Sequence, residues 1–174
     1  MKRLYVSSLD SCAGCRTCEL LCSLRHEHVS SPELSRIKVV RLPLGNLPDV
    51  TAEPVFCRRC KQCVKACRVG ALVFSKDRWR IEFDRDKCIG CAECIEVCPF
   101  GAIRMHPEEG IPLICDLCDG EPVCAKFCPT GTLVFIEESV YSYKKARESI
   151  KKRLESAGFV EEAPPAKWKK DKST

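Results

Sequence analysis

The chain has 174 residues and a formal charge of +5, and 16 of its residues are cysteine. At about 9% the cysteine content matches a disulfide scaffold, but such a scaffold needs an oxidising compartment, and MKRLYVSSLDSC at the N-terminus has neither an apolar h-region nor a cleavage signal. No apolar run approaches the ~18 residues of a membrane span, so the expectation is a cytoplasmic protein, not inserted in a membrane, whose reduced thiols serve as metal ligands.

In chain order, the first feature is Cys12, Cys15, Cys18 and Cys22, spaced C-x2-C-x2-C-x3-C. SRIKVVRLPL then reads as a strand, and PLGNLPDVTAEP, with three prolines, reads as an irregular loop of the kind that contacts partners. Cys57, Cys60, Cys63 and Cys67 repeat the first spacing. GALVFSKDRWRIEFDRDKC predicts two β-runs around a KDR turn. Cys88, Cys91, Cys94 and Cys98 follow, then Pro99, and GAIRMHPEEGIPLIC predicts another hairpin around PEEG. The fourth group, Cys115, Cys118, Cys124 and Cys128, widens its middle gap to x5 through DGEPV and precedes Pro129. GTLVFIEE starts a third strand copy. Residues 139 to 157 predict a helix with Ser139 placed to cap it. Its apolar stripe of Tyr143, Ala146, Ile150, Leu154 and Ala157 is expected to pack on the core, with Lys144, Lys145, Arg147, Lys151 and Arg153 facing outward. The expected divisions are 1–136, a helix at 137–158, and a tail at 159–174 that is mobile or anchored on a partner.

The cysteines fall into four groups of four with none left over. C-x2-C-x2-C wraps backbone around one face of an iron–sulfur cubane, and the x3 step carries the fourth thiolate towards a second cluster. Groups must then come in pairs, and an even number is present. Zinc would use two C-x2-C pairs separated by a longer loop, which fits runs of four cysteines in eleven residues poorly. The prediction is therefore four 4Fe-4S clusters, with all sixteen cysteines as ligands. Four clusters at about −2 each would move the formal charge from +5 to about −3, which removes the reason to expect a nucleic-acid partner. His26, His28 and His106 read as structural or surface residues, and no GxGxxG loop is present for a nucleotide.

The groups differ in two respects. Proline follows the last cysteine only in groups three and four; Ser23 and Arg68 replace it in the others. Group two also carries Arg58, Arg59, Lys61, Lys65 and Arg68 without an acidic residue, whereas group three has Asp86, Glu93 and Glu96, and group four has Asp116, Asp119 and Glu121. A raised cluster potential or an acidic docking partner is expected at group two.

These motifs, with CAGCRTCELLCSLRHEH and CDLCDGEPVCAKFCPTG, resemble the four-cluster iron–sulfur subunits of molybdopterin and tungstopterin oxidoreductases over roughly residues 3 to 136. The form of groups one and four is most similar to the small subunits of tungsten aldehyde oxidoreductase and benzoyl-coenzyme A reductase-type complexes. The resemblance implies an α+β fold of tandem bacterial dicluster ferredoxin-like modules, pairing group one with four and two with three. Cys12, Cys15 and Cys18 would then share a cluster with Cys128, and Cys115, Cys118 and Cys124 with Cys22. Cys57, Cys60 and Cys63 would take Cys98, and Cys88, Cys91 and Cys94 would take Cys67. Spacing alone is also compatible with groups one and two pairing, and three and four. The implied role is a non-catalytic relay between an external donor or acceptor protein and a large catalytic subunit carrying tungsten or molybdenum. The rival readings are a free polyferredoxin, or the small subunit of a formate dehydrogenase, carbon monoxide dehydrogenase or hydrogenase complex.

Overall fold

The computed structural model of the chain describes residues 2–7, 12–43 and 50–156. Its elements are short and mixed: β1 Lys2–Val6, α1 Thr17–Glu27, β2 Lys38–Pro43, β3 Val50–Val55, α2 Gln62–Ala66, β4 Leu72–Ser75, β5 Arg80–Phe83, α3 Glu93–Glu96, β6 Arg104–Met105, β7 Pro112–Leu113, α4 Val123–Lys126, β8 Leu133–Glu137 and α5 Glu138–Ser156. The strands make four two-stranded sheets: β1 with β8, β2 with β3, β4 with β5, and β6 with β7. The fold is a small α+β arrangement. No two-stranded ribbon is stable alone in water, so each is held by what its inner face packs against.

Residues Met1–Ile136 form one compact unit. Within it the buried side chains make two cores. Leu4, Val6, Ile37, Phe56, Leu117 and Leu133 surround Cys22 and Cys124 in the first. Leu72, Ile81, Ile103 and Ile114 surround Cys57, Cys63 and Cys94 in the second. Cys115 packs against both. Helix α1 packs against α4, and α2 against α3. Two arginines bind the halves: Arg80 Nη1 lies 2.5 Å from Asp119 Oδ1, and Arg104 Nη2 donates to the carbonyls of Ser35 (2.5 Å) and Pro32 (3.1 Å).

The hairpins around KDR and PEEG form where their turn residues place them. Two expectations change. The segment read as an irregular loop contains β3, antiparallel to β2 with Val39 opposite Pro54 and Arg41 opposite Ala52; its Pro54 is tolerated because two-stranded ribbons are all edge. The strand after Cys128 pairs with β1, which the opening reading overlooked, and the two join firmly where Ser7 N donates to Thr132 O at 2.7 Å and Ser7 Oγ to Gly131 O at 2.8 Å.

The second unit begins at Glu137. Helix α5 starts at Glu138, so Ser139 sits inside its first turn instead of capping it. Of its apolar stripe, Tyr143 is 65% and Ile150 52% exposed, and the side chains of Leu154 and Ala157 lie outside the described ones. Lys145 pairs with Glu148 at 3.3 Å. Residues 157–174, with the tail and its Phe159 and Trp168, lie outside the described residues.

Candidate metal centres

Each cysteine group uses one backbone device. The residues flanking the second cysteine are left-handed: Gly14 and Arg16 around Cys15, Arg59 and Lys61 around Cys60, Gly90 and Ala92 around Cys91. Around Cys118 they are Leu117 and Asp119, and Cys118 itself is left-handed too, with φ +48°. In the first three groups the alternation of hand turns successive N–H groups inward, the geometry of an anion-binding nest. The third cysteine is the second residue of a helix every time: Cys18 in α1, Cys63 in α2, Cys94 in α3, Cys124 in α4. The fourth lies four residues on, one turn along the same face, and so reaches past its own group.

The second cysteines Cys15, Cys60 and Cys91 are exposed, whereas Cys22, Cys57, Cys63, Cys94, Cys118 and Cys124 are buried. No described cysteine is in a disulfide. One cavity is lined by Cys12, Cys15 and Cys18 from group one and Cys128 from group four, with Val39 and Leu133. Another is lined by Cys88, Cys91 and Cys94 from group three and Cys67 from group two, with Val69 and Ile89. Cys98 is close enough to act electrostatically on Cys57 and Cys63, beside Cys60. Cys22 does the same to Cys115, Cys118 and Cys124. Two cavities thus bring three sulfurs of one group to the fourth of another, and the electrostatic neighbours of the other two triplets include Cys98 and Cys22 in the same crossed pattern.

Burial pushes the thiols up, with neighbouring acidic groups adding to it: Cys18 and Cys63 to about 12, Cys94 to about 11. Cys22, Cys57, Cys115, Cys118 and Cys124 are also raised, chiefly by burial. Cys128 runs the other way. Burial opposes its charge, but N–H groups of Leu133, Thr130 and Thr132 and the Thr130 hydroxyl outweigh it. Buried thiols held protonated at neutral pH become thiolates when a cation replaces the proton. Sulfur donors in fours, with backbone donors such as Arg36 N to Cys22 Sγ at 3.3 Å and Ala102 N to Cys98 Sγ at 3.4 Å, fit iron–sulfur clusters.

Comparison with known proteins agrees. Residues 56–102 match a 4Fe-4S dicluster domain and residues 116–131 a 4Fe-4S binding domain. The polyferredoxin-like subunit of an aliphatic sulfonate oxidoreductase from Pyrococcus furiosus is 39% identical, over 68% of this chain and 67% of its own length. The chain belongs to the 4Fe-4S ferredoxin-type electron-transfer family. The electron transport protein HydN of Escherichia coli is 29% identical over 90% of this chain and 98% of its own length. A formate dehydrogenase iron-sulfur subunit of Haemophilus influenzae is 28% identical over 90% of this chain and 59% of its own length.

Within this ferredoxin-type chain the missing prolines have two separate explanations. After Cys67, Gly70 N donates to Cys67 O at 3.2 Å, the same turn and distance as Gly101 to Cys98 and Gly131 to Cys128. Arg68 therefore keeps the turn that Pro99 and Pro129 make, and its guanidinium reaches Glu93 of α3 at 2.9 Å. After Cys22 there is no turn. Helix α1 continues to Glu27, and Ser23, fully buried, donates to Leu20 O and accepts from Ser31 N, both at 3.0 Å.

That continued helix carries the residue sequence reasoning missed. His26 follows Cys22 by one turn and places Nε2 at 3.5 Å from Cys118 Sγ and 3.4 Å from Asp116 Oδ1. Among the described residues, His26, Asp116 and Cys118 make the one group of possible metal ligands gathered so tightly. Ser23 in place of proline was the available signal, because only an unbroken helix brings residue 26 under residue 22. His28 is exposed at the end of α1, and His106 Nδ1 accepts N–H groups of Glu108 and Glu109 in the PEEG turn; both are structural. A second missed residue is Glu19, 2% exposed, whose Oε1 accepts Val39 N–H at 2.6 Å beside Cys18.

Proposed function

We propose that the chain carries four 4Fe-4S clusters and relays single electrons to or from a large catalytic oxidoreductase subunit. The partner is a tungsten or molybdenum pterin enzyme of the aldehyde oxidoreductase type, and an external protein meets the other end of the relay. The chain itself performs no substrate chemistry. Cys12, Cys15 and Cys18 hold one cluster with Cys128, Cys57, Cys60 and Cys63 a second with Cys98, Cys88, Cys91 and Cys94 a third with Cys67, and Cys115, Cys118 and Cys124 a fourth with Cys22. The modules are therefore groups one with four and two with three. The observation that supports this most directly is the crossing of the fourth cysteine, since each cavity is lined by three sulfurs of one group and the last of its partner. The packing of α1 on α4 and α2 on α3 follows the same pairing. An oxidoreductase partner is supported by the relatives named as subunits of such complexes, and the tungsten-type partner by the form of groups one and four.

When bound, the clusters supply one-electron storage without bond making. The protein's part is to fix their geometry, exclude water and set their potentials through N–H···S bonds and charge. Anaerobic purification of the native protein tests the reading: about sixteen irons per chain, with a large subunit that carries tungsten or molybdenum. Cys98→Ser should alter the spectrum of the cluster bound by Cys57, Cys60 and Cys63, and Cys67→Ser that of the cluster bound by Cys88, Cys91 and Cys94. The opposite assignment would refute the crossing.

A further inference from the structure

The four loops all place left-handed residues on both sides of the second cysteine, and the residue before it differs among them. The residue before the second cysteine is left-handed in each, with φ +63° at Gly14, +57° at Arg59, +69° at Gly90 and +61° at Leu117. Glycine adopts this conformation without steric penalty, and an L side chain is strained there. Leu117 offsets the strain by burial in the first core, where it is 3% exposed. Arg59 has no comparable apolar gain. It is 9% exposed, its Nη1 finds no hydrogen-bond acceptor among the described residues, and a guanidinium does not give up its charge in a protein.

A buried cation without a partner is strongly unfavourable. Here it occupies a position where glycine would serve the backbone better. Burial works most strongly against its charge and Arg3 of β1 adds to that, while Cys115, Cys57 and Tyr5 favour it. Cys57 belongs to the second core, and Cys115 packs against both. Arg59 N–H also donates to Cys57 Sγ at 3.4 Å. The enclosed side chain thus lies within electrostatic reach of a sulfur from each half, Cys57 of the second core and Cys115 between the two cores.

We propose that Arg59 is an internal counter-ion at the seam between the two cores. It holds the two sites that meet there, Cys57, Cys60, Cys63 with Cys98 and Cys115, Cys118, Cys124 with Cys22, here termed the inner sites, at higher potential than the other two, termed the outer sites. The inference rests on the four-cluster reading above. One electron takes a site from about −2 to about −3 with no bond formed or broken and no proton required. A fixed positive charge favours the more negative state, and burial protects that effect from screening by salt. An electron entering from either end then settles in the middle of the chain before it is delivered.

The experiment is an anaerobic redox titration of the purified protein followed by electron paramagnetic resonance, with iron counted for each sample. Arg59→Gln removes the charge and keeps a polar side chain; Arg59→Gly removes it and relaxes the backbone, so it keeps the cage. Both should lower the two inner potentials and leave the outer two in place. The expected size is at least a tenfold change in the reduced-to-oxidised ratio at fixed applied potential, about 59 mV for a one-electron couple. Arg59→Lys should retain most of the wild-type values, and Arg58→Gln, an equal loss of charge at an exposed position, should move nothing. Unchanged inner potentials in Arg59→Gln and Arg59→Gly with full iron would overturn the proposal, and so would loss of iron from Arg59→Gly, which would make Arg59 an assembly residue. A wild-type iron count well below sixteen would instead remove the four-cluster reading on which it stands.

Discussion

Three glycines with the same left-handed backbone should respond to alanine in graded order, because they differ only in what a Cβ would meet. At Gly101, φ +59°, nothing lies within 4 Å. Alanine there costs the left-handed strain alone, about 1–2 kcal/mol. At Gly14, φ +63°, a Cβ would meet Arg41 Nε at 2.7 Å. The guanidinium is the mobile end of a side chain and can withdraw, at the expense of its bond from Nη2 to Gly14 O, so about 1 kcal/mol is added. At Gly90, φ +69°, the obstacle is Gly110 O at 2.9 Å, a backbone atom in the turn between β6 and β7. That turn cannot move without disturbing β6, β7 and Cys115 beyond them, and overpacking of this kind adds about 1–3 kcal/mol. The totals are about 1–2, 2–3 and 2–5 kcal/mol. Anaerobic urea denaturation, followed by bleaching of the cluster absorption, reads them out. With a slope of about 2 kcal/mol per molar, Gly90→Ala should fall about 1 M urea below Gly101→Ala. Equal midpoints for the two would refute the steric half of the reasoning and leave only the backbone strain.

Arg68→Pro should leave the iron content unchanged, since the Cys67 turn matches the two that already contain proline; it should lose no more than about 1 kcal/mol with the exposed pair to Glu93, as measured by the same denaturation. Ser23→Pro should be far worse, by about 3 kcal/mol or more, because it interrupts α1 between Cys22 and His26; iron content falling with helicity would show it. Glu19→Gln keeps an acceptor for Val39 N–H and removes a buried negative charge beside Cys18, so redox titration should find the potential of the site with Cys12, Cys15 and Cys18 raised. His26→Ala removes the Nε2 contact to Cys118 Sγ. Where that nitrogen carries the proton, the same titration should show a lowered potential at the Cys118 site and unchanged values at sites without Cys118.

Much of the site was legible because cluster ligation writes itself as spacing. The three close groups and the stretched fourth pointed to the sixteen cysteines as candidate ligands, and the KDR and PEEG turns placed two of the four ribbons. What stayed hidden depends on contacts distant in sequence. The register of β3 on β2 joins residues that flank a long connection, such as Val40 with Glu53 and Lys38 with Val55, and a proline-rich stretch conceals a strand whenever the ribbon is all edge. The pairing of β8 with β1 joins the two ends of the first unit, beyond the reach of any local pattern. Burial of Glu19 and Arg59 was invisible for a simpler reason. Charged residues are read as solvated by default, and only the fold shows which ones are enclosed.

The second group illustrates how such a default misleads. Its run of basic residues invites a reading as one electrostatic surface, yet the members do different work. Arg58 lies over the Phe56 ring and Lys61 over the Phe74 ring. Arg68 joins α2's turn to α3. Arg59 alone is enclosed. The two loops with glycine before the second cysteine are those whose backbone is approached closely, by Arg41 and by Gly110 O, so a side chain there has no room. The two loops with a side chain at that position, Leu117 and Arg59, are those directed to the interior, one into the first core and one to the seam. The exchange of glycine for a side chain therefore follows from where each loop sits in the assembled unit. A repeated motif keeps its cysteines, and at the position before the second of them it takes a side chain where the surroundings permit one.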